Sequence, residues 1–287
     1  MLISNYFYAS STFQNSDYME LLEDRKGYTT QLYLKRFKEE LGRIKLKGKT
    51  AFLFAAGVTI SQSETRAYQG RYQNSHETQK SGLIIKETTA YAMHKYIGAV
   101  QANNDITYAN INSNSCASSM HSIYEAETLL ESGVVDNVII VAEERTSFNT
   151  IRIFDEHQID VIPGDGFACM VLTNGEQGIA EITHTKWEYF YNANPFYVSA
   201  EGYEKVKTAA DYVKGHGTGT EQNTKAEYGL SAKPIAEYKS QIGHTQGASA
   251  LIEVCMVLED KRFDGSVLCT ASGLGGFYGS CRVNKYA

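Results

Sequence analysis

The sequence predicts an α/β protein in which strands and helices alternate and polar residues follow the strand ends. Three observations support this class. Short apolar runs, such as residues 51–56 and 137–142, have the length and continuity of buried strands. Residues 29–47 and 117–132 place their apolar side chains at helical spacing. This alternation favours mostly parallel sheets, with a functional site beyond the carboxyl ends of the strands.

Composition restricts both the class of protein and its environment. The 287 residues include 43% hydrophobic and 21% charged residues, enough for one globular unit or two packed halves. A net charge of -6 argues against a nucleic-acid surface. The five cysteines form no C-x-x-C pair, so neither a disulfide framework nor a zinc site is indicated. Without a leader-like start or an apolar run of ~18 residues, we expect a cytoplasmic protein with no membrane insertion.

We expect two halves that meet near residue 176, namely residues 1–176 and 177–287. Both halves mix strands and helices. The first contains the predicted helices 29–47, 82–100 and 117–132 and the predicted strands 51–56, 106–112, 137–142 and 168–173. The second contains the predicted strands 179–185, 211–214, 235–239, 267–268 and 281–283 and the predicted helix 248–258.

One cysteine is distinguished by its position. Residues 106–112 alternate like a strand and lead to Cys116, and the helix after it ends before Gly133, where a capping glycine belongs. A thiol at a helix N-terminus meets the positive end of the helix dipole and free N–H groups, which favour the thiolate. Cys116 is therefore the candidate nucleophile. The remaining cysteines lie in apolar runs or late strands and are interpreted as core residues: Cys169, Cys255, Cys269 and Cys281.

Two histidines follow predicted strands in the second half. His216 lies among glycines and threonines, a setting that lets the backbone approach a ligand closely. His244 lies five residues after Lys239 and nine before Glu253, so a strand end, a loop and a helix each contribute a titratable group. One cysteine with two histidines indicates covalent catalysis in which the sulfur carries an acyl group. A Cys-His hydrolase also fits this minimum, although no third orienting Asn or Asp motif is evident.

The residues around these positions resemble the β-ketoacyl synthase family of the thiolase superfamily. The similar segments occur in the family's order and cover most of residues 50–287. They are 114–119 (its nucleophile elbow), 215–220 (its His-Gly-Thr-x-Thr motif), 239–244 (its Lys-Ser-x-x-Gly-His motif), 163–168, 245–250 with Glu253, and 273–276. The resemblance implies thiolase-like, duplicated α/β halves in a layered α-β-α-β-α arrangement.

The resemblance also implies a reaction, the decarboxylative Claisen condensation of fatty acid or polyketide biosynthesis. Cys116 would hold an acyl chain delivered by the phosphopantetheine of an acyl carrier protein. His216 and His244 would donate hydrogen bonds to the malonyl thioester as it loses carbon dioxide. Lys239 and Glu253 would position His244. No metal or nucleotide cofactor is implied.

Substrate contacts are implied at the two Gly-rich loops. Thr218 and Thr220 would bond the pantetheine arm. The backbone N–H groups of Cys116 and Ser272 would form an oxyanion hole, with Gly273 beside it. Ser272 stands where the family usually has a gating phenylalanine, and the chain is shorter than usual around residues 148–163.

These departures leave a second role open, that of a partner subunit resembling a chain-length factor, which shapes the acyl tunnel of a full-length ketosynthase. The implied partners are an acyl carrier protein and either a second copy, in a homodimer, or a full-length ketosynthase, in a heterodimer. The resemblance further suggests a type II polyketide or aryl polyene system. A thioester hydrolase on the same fold is the third reading.

Overall fold

The computed structural model describes residues 1–12, 28–57, 89–145, 154, 156, 162–175, 177–230 and 238–286. The strands are β1 (Leu2–Thr12), β2 (Lys49–Ala55), β3 (Asp105–Asn112), β4 (Asn137–Glu144), β5 (Gly164–Thr173), β6 (Ala180–Tyr189), β7 (Tyr212–Lys214), β8 (Ser266–Gly273) and β9 (Phe277–Lys285). The α-helices are α1 (Tyr28–Leu41), α2 (Thr89–Val100), α3 (Ser118–Glu131), α4 (Ala200–Val206), α5 (Glu221–Glu227), α6 (Tyr238–Ile242) and α7 (Ser249–Glu259). No helix among these residues is both long and apolar enough to cross a membrane.

The strands form a mixed sheet in the order β3-β2-β4-β5-β1-β6-β9-β8-β7. Among the nine described strands, three pairings are parallel, β2 with β3, β2 with β4 and β7 with β8, and the other five are antiparallel. The prediction of mostly parallel sheets is therefore wrong, although the α/β class is confirmed. One cause is the short link between β8 and β9, in which Gly275 and Gly276 have φ of +92° and +91°. Such a tight turn reverses the chain, whereas a parallel partner requires a long crossover.

Helices and sheet alternate in five layers. Phe52 and Phe54 of β2 pack outward against Phe37 of α1 and Tyr96 of α2. The opposite faces of the first-half strands pack on α3 and α7, which also contact the second-half strands β8 and β9. On the far side, α4 and α5 cover β8 and β9 through a cluster that contains Tyr203. The predicted α-β-α-β-α layering is confirmed, with α3 and α7 as the central layer.

The strands of the two halves of the sheet repeat one pattern of pairing. In the first half, β2 runs parallel to β4, β4 runs antiparallel to β5, and β5 runs antiparallel to β1. In the second, β7, β8, β9 and β6 repeat the same sequence of orientations. A 3₁₀ turn also precedes each of the central helices α3 and α7. The first residue of each turn is a non-glycine residue with positive φ, +54° at Ser115 and +41° at Gln246. The predicted duplication is thus confirmed, whereas the boundary near residue 176 stays a prediction.

Several element boundaries differ from the sequence predictions. Strand β1 was not predicted, and α1 ends at Leu41, before the predicted residue 47. The predicted strand at 235–239 is wrong at its described end, because Tyr238–Ile242 forms the short helix α6. Residues 235–237, 82–88 and most of 148–163 lie outside the described residues.

Candidate active site

Cys116 lies in the 3₁₀ turn Ser115–Ala117, directly before α3. The Ser118 hydroxyl oxygen accepts the Asn114 N–H at 2.8 Å and lies 2.6 Å from the Ser115 carbonyl oxygen. These contacts hold Ser115 in its left-handed conformation, which costs a non-glycine residue about 1–2 kcal/mol. The predicted strand-turn-helix placement of Cys116 is confirmed, whereas its role as nucleophile stays a prediction.

A second turn, residues 245–249, lies against the end of β2. Gly247 is required there, since a Cβ at this position would lie 2.0 Å from the Gly57 nitrogen. The carboxylate of Glu144, at the end of β4, accepts the N–H groups of Gly57 at 2.6 Å and Gly247 at 3.2 Å. This one buried carboxylate therefore joins the first half of the protein to the turn that follows His244.

The three predicted catalytic side chains converge between the two halves. The Cys116 sulfur and one ring nitrogen from each of His216 and His244 all lie within 4.8 Å of one another. The imidazole centroids are 5.5 Å apart, and the rings are inclined at 78°. All three residues are buried, with relative exposures of 8%, 4% and 2% respectively. The site is therefore a desolvated Cys-His-His cluster.

The hydrogen bonds around His244 define its tautomer. Nδ1 accepts the backbone N–H of Gln246 at 3.2 Å and lies 3.1 Å from the Ser249 hydroxyl. A neutral imidazole whose Nδ1 is an acceptor carries its proton on Nε2, which is then a hydrogen-bond donor. A metal ion on Nε2 would force the proton onto Nδ1, against the Gln246 N–H. The cluster is therefore better suited to hydrogen-bonding a substrate than to coordinating a metal.

Burial and neighbouring cations hold the imidazoles neutral. Burial, and secondarily the Lys239 ammonium, keep the pKa of both His216 and His244 well below the ordinary histidine value. At neutral pH both rings are thus uncharged and can each donate one hydrogen bond.

The Cys116 thiol is also shifted towards its neutral form. Burial raises its pKa to about 11, although the Ser115 hydroxyl and Lys239 act in the opposite direction. The expectation that the helix N-terminus would favour the resting thiolate is not met, because desolvation outweighs it. The thiol must therefore lose its proton during the reaction.

This protonation state predicts the pH dependence of alkylation. Between pH 7 and 9.5, the rate of Cys116 modification by iodoacetamide should rise about tenfold per pH unit, because only the thiolate reacts. Mass spectrometry measures the rate, and Cys116→Ala corrects for slow reaction of the four other buried cysteines. A plateau between pH 6 and 8 would show instead that the resting sulfur is already a thiolate.

Lys239 and Glu253 belong to a buried ionic network behind the histidines. Lys239 Nζ donates to Glu253 Oε1 and to the main-chain oxygen of His216. The resemblance implied that these residues position His244 and a local water or ion network; the structure shows the ion network, in which Lys239 also holds the backbone of His216. A second lysine, Lys214 in β7, pairs with Glu253 Oε2.

Glu227 supports the same loop from the other side. Its carboxylate accepts the N–H groups of His216 and Gly217, together with the side-chain amide of Asn223 at 2.8 Å. Burial raises the pKa of Glu227, while the two N–H groups oppose that shift. Sequence reasoning missed Glu227, Lys214 and Glu144. A signal existed for Lys214, because a charged residue two positions before His216 in a buried strand requires a partner.

The predicted substrate-binding residues are less uniformly placed. The Thr218 and Thr220 hydroxyls are 3.3 Å apart and partly exposed, and Thr220 also caps α5 by accepting the Asn223 N–H. A Cβ on Gly273 would lie 2.4 Å from the Asn114 oxygen, so this backbone abuts the turn of Cys116. The Ser272 side chain instead accepts the Tyr203 hydroxyl at 3.0 Å, on the outer face of the sheet. Only the backbone of Ser272 is left for the predicted oxyanion hole, and that role stays a prediction.

Comparisons with known proteins agree with this site. Residues 111–189 match the family model of 3-oxoacyl-[acyl-carrier-protein (ACP)] synthase III, a region that contains Cys116. A relative from Streptomyces cyaneus, "Putative polyketide beta-ketoacyl synthase 1", is 30% identical over 131 residues. That match covers 36% of this chain and only 31% of the relative, so the chain spans about a third of the curated relative's length.

Solved structures share the fold at low sequence identity. A β-ketoacyl synthase from Burkholderia phymatum STM815 superimposes with a TM-score of 0.65 at 18% identity, covering 84% of this chain and 76% of that one. The ishigamide ketosynthase/chain length factor gives 0.62 at 15% identity, with 85% and 75% covered. A ketosynthase from module 6 of the bacillaene synthase of Bacillus subtilis 168 gives 0.61 at 14% identity, with 87% and 57% covered. This chain therefore has the fold of the ketosynthases, and its residues 111–189 are similar to the family of 3-oxoacyl-[acyl-carrier-protein (ACP)] synthase III.

Proposed function

We propose that this protein catalyses a decarboxylative Claisen condensation, extending an acyl chain held on Cys116 with a malonyl unit carried by an acyl carrier protein. One observation carries the proposal, the convergence of Cys116, His216 and His244 within 4.8 Å in a buried site. A protein that only shaped a neighbouring tunnel would not need this arrangement. We further propose that it works in the cytoplasm, in fatty acid or polyketide biosynthesis.

Acyl transfer comes first. The Cys116 sulfur attacks the carbonyl carbon of the acyl thioester, the C–S bond to the carrier breaks, and the carrier leaves as a thiol. Because the Cys116 thiol is protonated at rest, its proton must move as the new bond forms. His244 already keeps a proton on Nε2, so we assign His216 as the ring that accepts the Cys116 proton and passes it to the leaving carrier sulfur.

Condensation follows. The malonyl carboxylate leaves as carbon dioxide, and its electron pair forms an enolate whose oxygen takes hydrogen bonds from the imidazoles. The enolate carbon then attacks the acyl carbonyl, the C–S bond to Cys116 breaks, and the sulfur takes up a proton from solvent, the one proton that the overall reaction consumes. Preorganised donors in a buried site suit this charge, because they do not have to reorient from water.

Intact-mass analysis tests the proposal. Protein incubated with an acyl carrier thioester should gain one acyl group, which Cys116→Ala abolishes. Cys169→Ala is the matched control, because Cys169 is also buried but lies in the outer apolar cluster. Added malonyl carrier should give a β-ketoacyl carrier. Free acid would indicate a thioester hydrolase, and absence of acylation, alone and with a neighbouring synthase, would refute catalysis by this chain.

A chain-length-factor-like role is the second candidate, in a heterodimer with a full-length ketosynthase. It is supported by the likeness in fold to the ishigamide ketosynthase/chain length factor. Co-purification with a longer synthase tests it. If product formation by the pair survives Cys116→Ala, the chain acts as the partner subunit. If that activity is lost, Cys116 is the nucleophile.

A further inference from the structure

The buried ionic network behind the imidazoles contains a second lysine, Lys214, in addition to the Lys239–Glu253 pair. Glu253, from α7, has a lysine on each carboxylate oxygen, Lys239 from α6 and Lys214 from β7. All three side chains are at most 2% exposed. Lys239 reaches the His216 backbone directly, whereas Lys214 lies two residues before His216 in the chain.

Lys214 is fixed by its strand as well as by its carboxylate. Lys214 Nζ lies 3.4 Å from the Thr270 carbonyl oxygen in β8, and the Thr270 hydroxyl lies 3.4 Å from the Lys214 carbonyl oxygen. The adjacent Gly215 packs on the carboxylate of Glu227, since a Cβ there would lie 2.9 Å from Oε1. Two lysines therefore stand against two carboxyl groups in one desolvated volume beside the imidazoles.

We propose that Lys214 is a positioning residue for the histidine pair, whose ammonium balances the second carboxylate of this network and so keeps His216 and His244 as neutral hydrogen-bond donors. The purpose of this role rests on the proposed function, but the effect of the Lys214 ammonium on the two imidazoles does not. Without Lys214, two carboxyl groups would face one ammonium. The resulting negative charge would stabilise an imidazolium, and a charged ring at Nδ1 would oppose the Gln246 N–H.

Among the described residues, Lys214 of β7 and Lys239 of α6 act on both imidazoles, and the Cys116 sulfur lies within 4.8 Å of a ring nitrogen of each. Glu253 of α7 pairs with both lysines, Glu227 of α5 accepts the His216 N–H, Glu144 of β4 acts on Cys116, and the Phe154 ring lies 5.5 Å from that of His244. The Lys214 ammonium lowers the pKa of both imidazoles, although burial and Lys239 act more strongly. Its contribution is thus separable from the rest by substitution.

The test is an NMR titration of ring-labelled histidine in the full chain, with the two resonances assigned through His216→Gln and His244→Gln. In Lys214→Met, the pKa of at least one of the two imidazoles should rise by about one unit. Lys225→Met is the matched control, because Lys225 is 74% exposed and pairs with Glu221 on its own helix. That variant should leave both titrations unchanged.

A further variant separates charge from shape. Lys214→Met combined with Glu253→Gln leaves Lys239 against Glu227, so both titrations should return towards those of the unsubstituted protein. Lys214→Gln, which keeps a donor for Thr270, replaces Lys214→Met if that variant unfolds. Unchanged or lowered pKa values in the single variants overturn the proposal. The titration needs no substrate, so an absence of condensing activity would refute the proposed function without touching this result.

Discussion

Replacing His244 with alanine should lower the rate of malonyl-carrier decarboxylation by about 100- to 1000-fold, the usual cost of a preorganised donor to a developing oxyanion. The reason is structural. Gln246 and Ser249 hold Nδ1, so the Nε2 proton is presented in a fixed direction and in a dry site. Release of labelled carbon dioxide from malonyl carrier measures the effect without requiring an acyl acceptor.

Two variants give this prediction its controls. His184→Ala should retain full activity, because His184 is exposed on β6, away from the site. His244→Gln should recover part of the lost rate, since its amide can present an N–H group near the former Nε2. Equal rates for the unsubstituted protein and His244→Ala would show that this histidine is not the donor.

Replacing Glu253 with glutamine should lower the free energy of unfolding by about 3–5 kcal/mol, since one carboxylate serves two buried lysines. Its removal leaves Lys214 and Lys239 facing each other without that anion. Burial already lowers the pKa of Lys239, an effect that the Glu253 carboxylate opposes. Urea denaturation followed by circular dichroism measures the change.

An exposed ion pair provides the comparison. Glu221→Gln removes the partner of Lys225 on the surface of α5, where solvent screens the pair and its loss should change stability little. Replacing Lys214 and Lys239 with methionine and Glu253 with leucine should recover stability but not activity, because an apolar set of similar volume carries no desolvation penalty. A Glu253→Gln protein as stable as Glu221→Gln would contradict the ionic network.

Local sequence signals predicted most of the elements that carry the site. The strand of residues 51–56, the helix after Cys116 and its capping Gly133, with φ of +67°, depend on neighbouring residues alone and were correct to within a residue or two. Strand β1 escaped prediction because its partners, β5 and β6, lie more than 150 residues away. The helix at Tyr238–Ile242 was mistaken for a strand because a five-residue segment is too short for periodicity to identify.

The sequence by itself singled out Cys116, His216 and His244 as candidates and predicted the α/β class, because motif spacing and hydrophobic periodicity are properties of short stretches of chain. Only the tertiary structure decided the protonation of Cys116, the tautomer of His244 and the partners of Glu253. Each of these depends on desolvation and on side chains distant in sequence, such as Lys214, 39 residues before Glu253. The free energy of ionising a side chain depends on the groups around it in three dimensions. Those groups come together only when the two halves pack around α3 and α7.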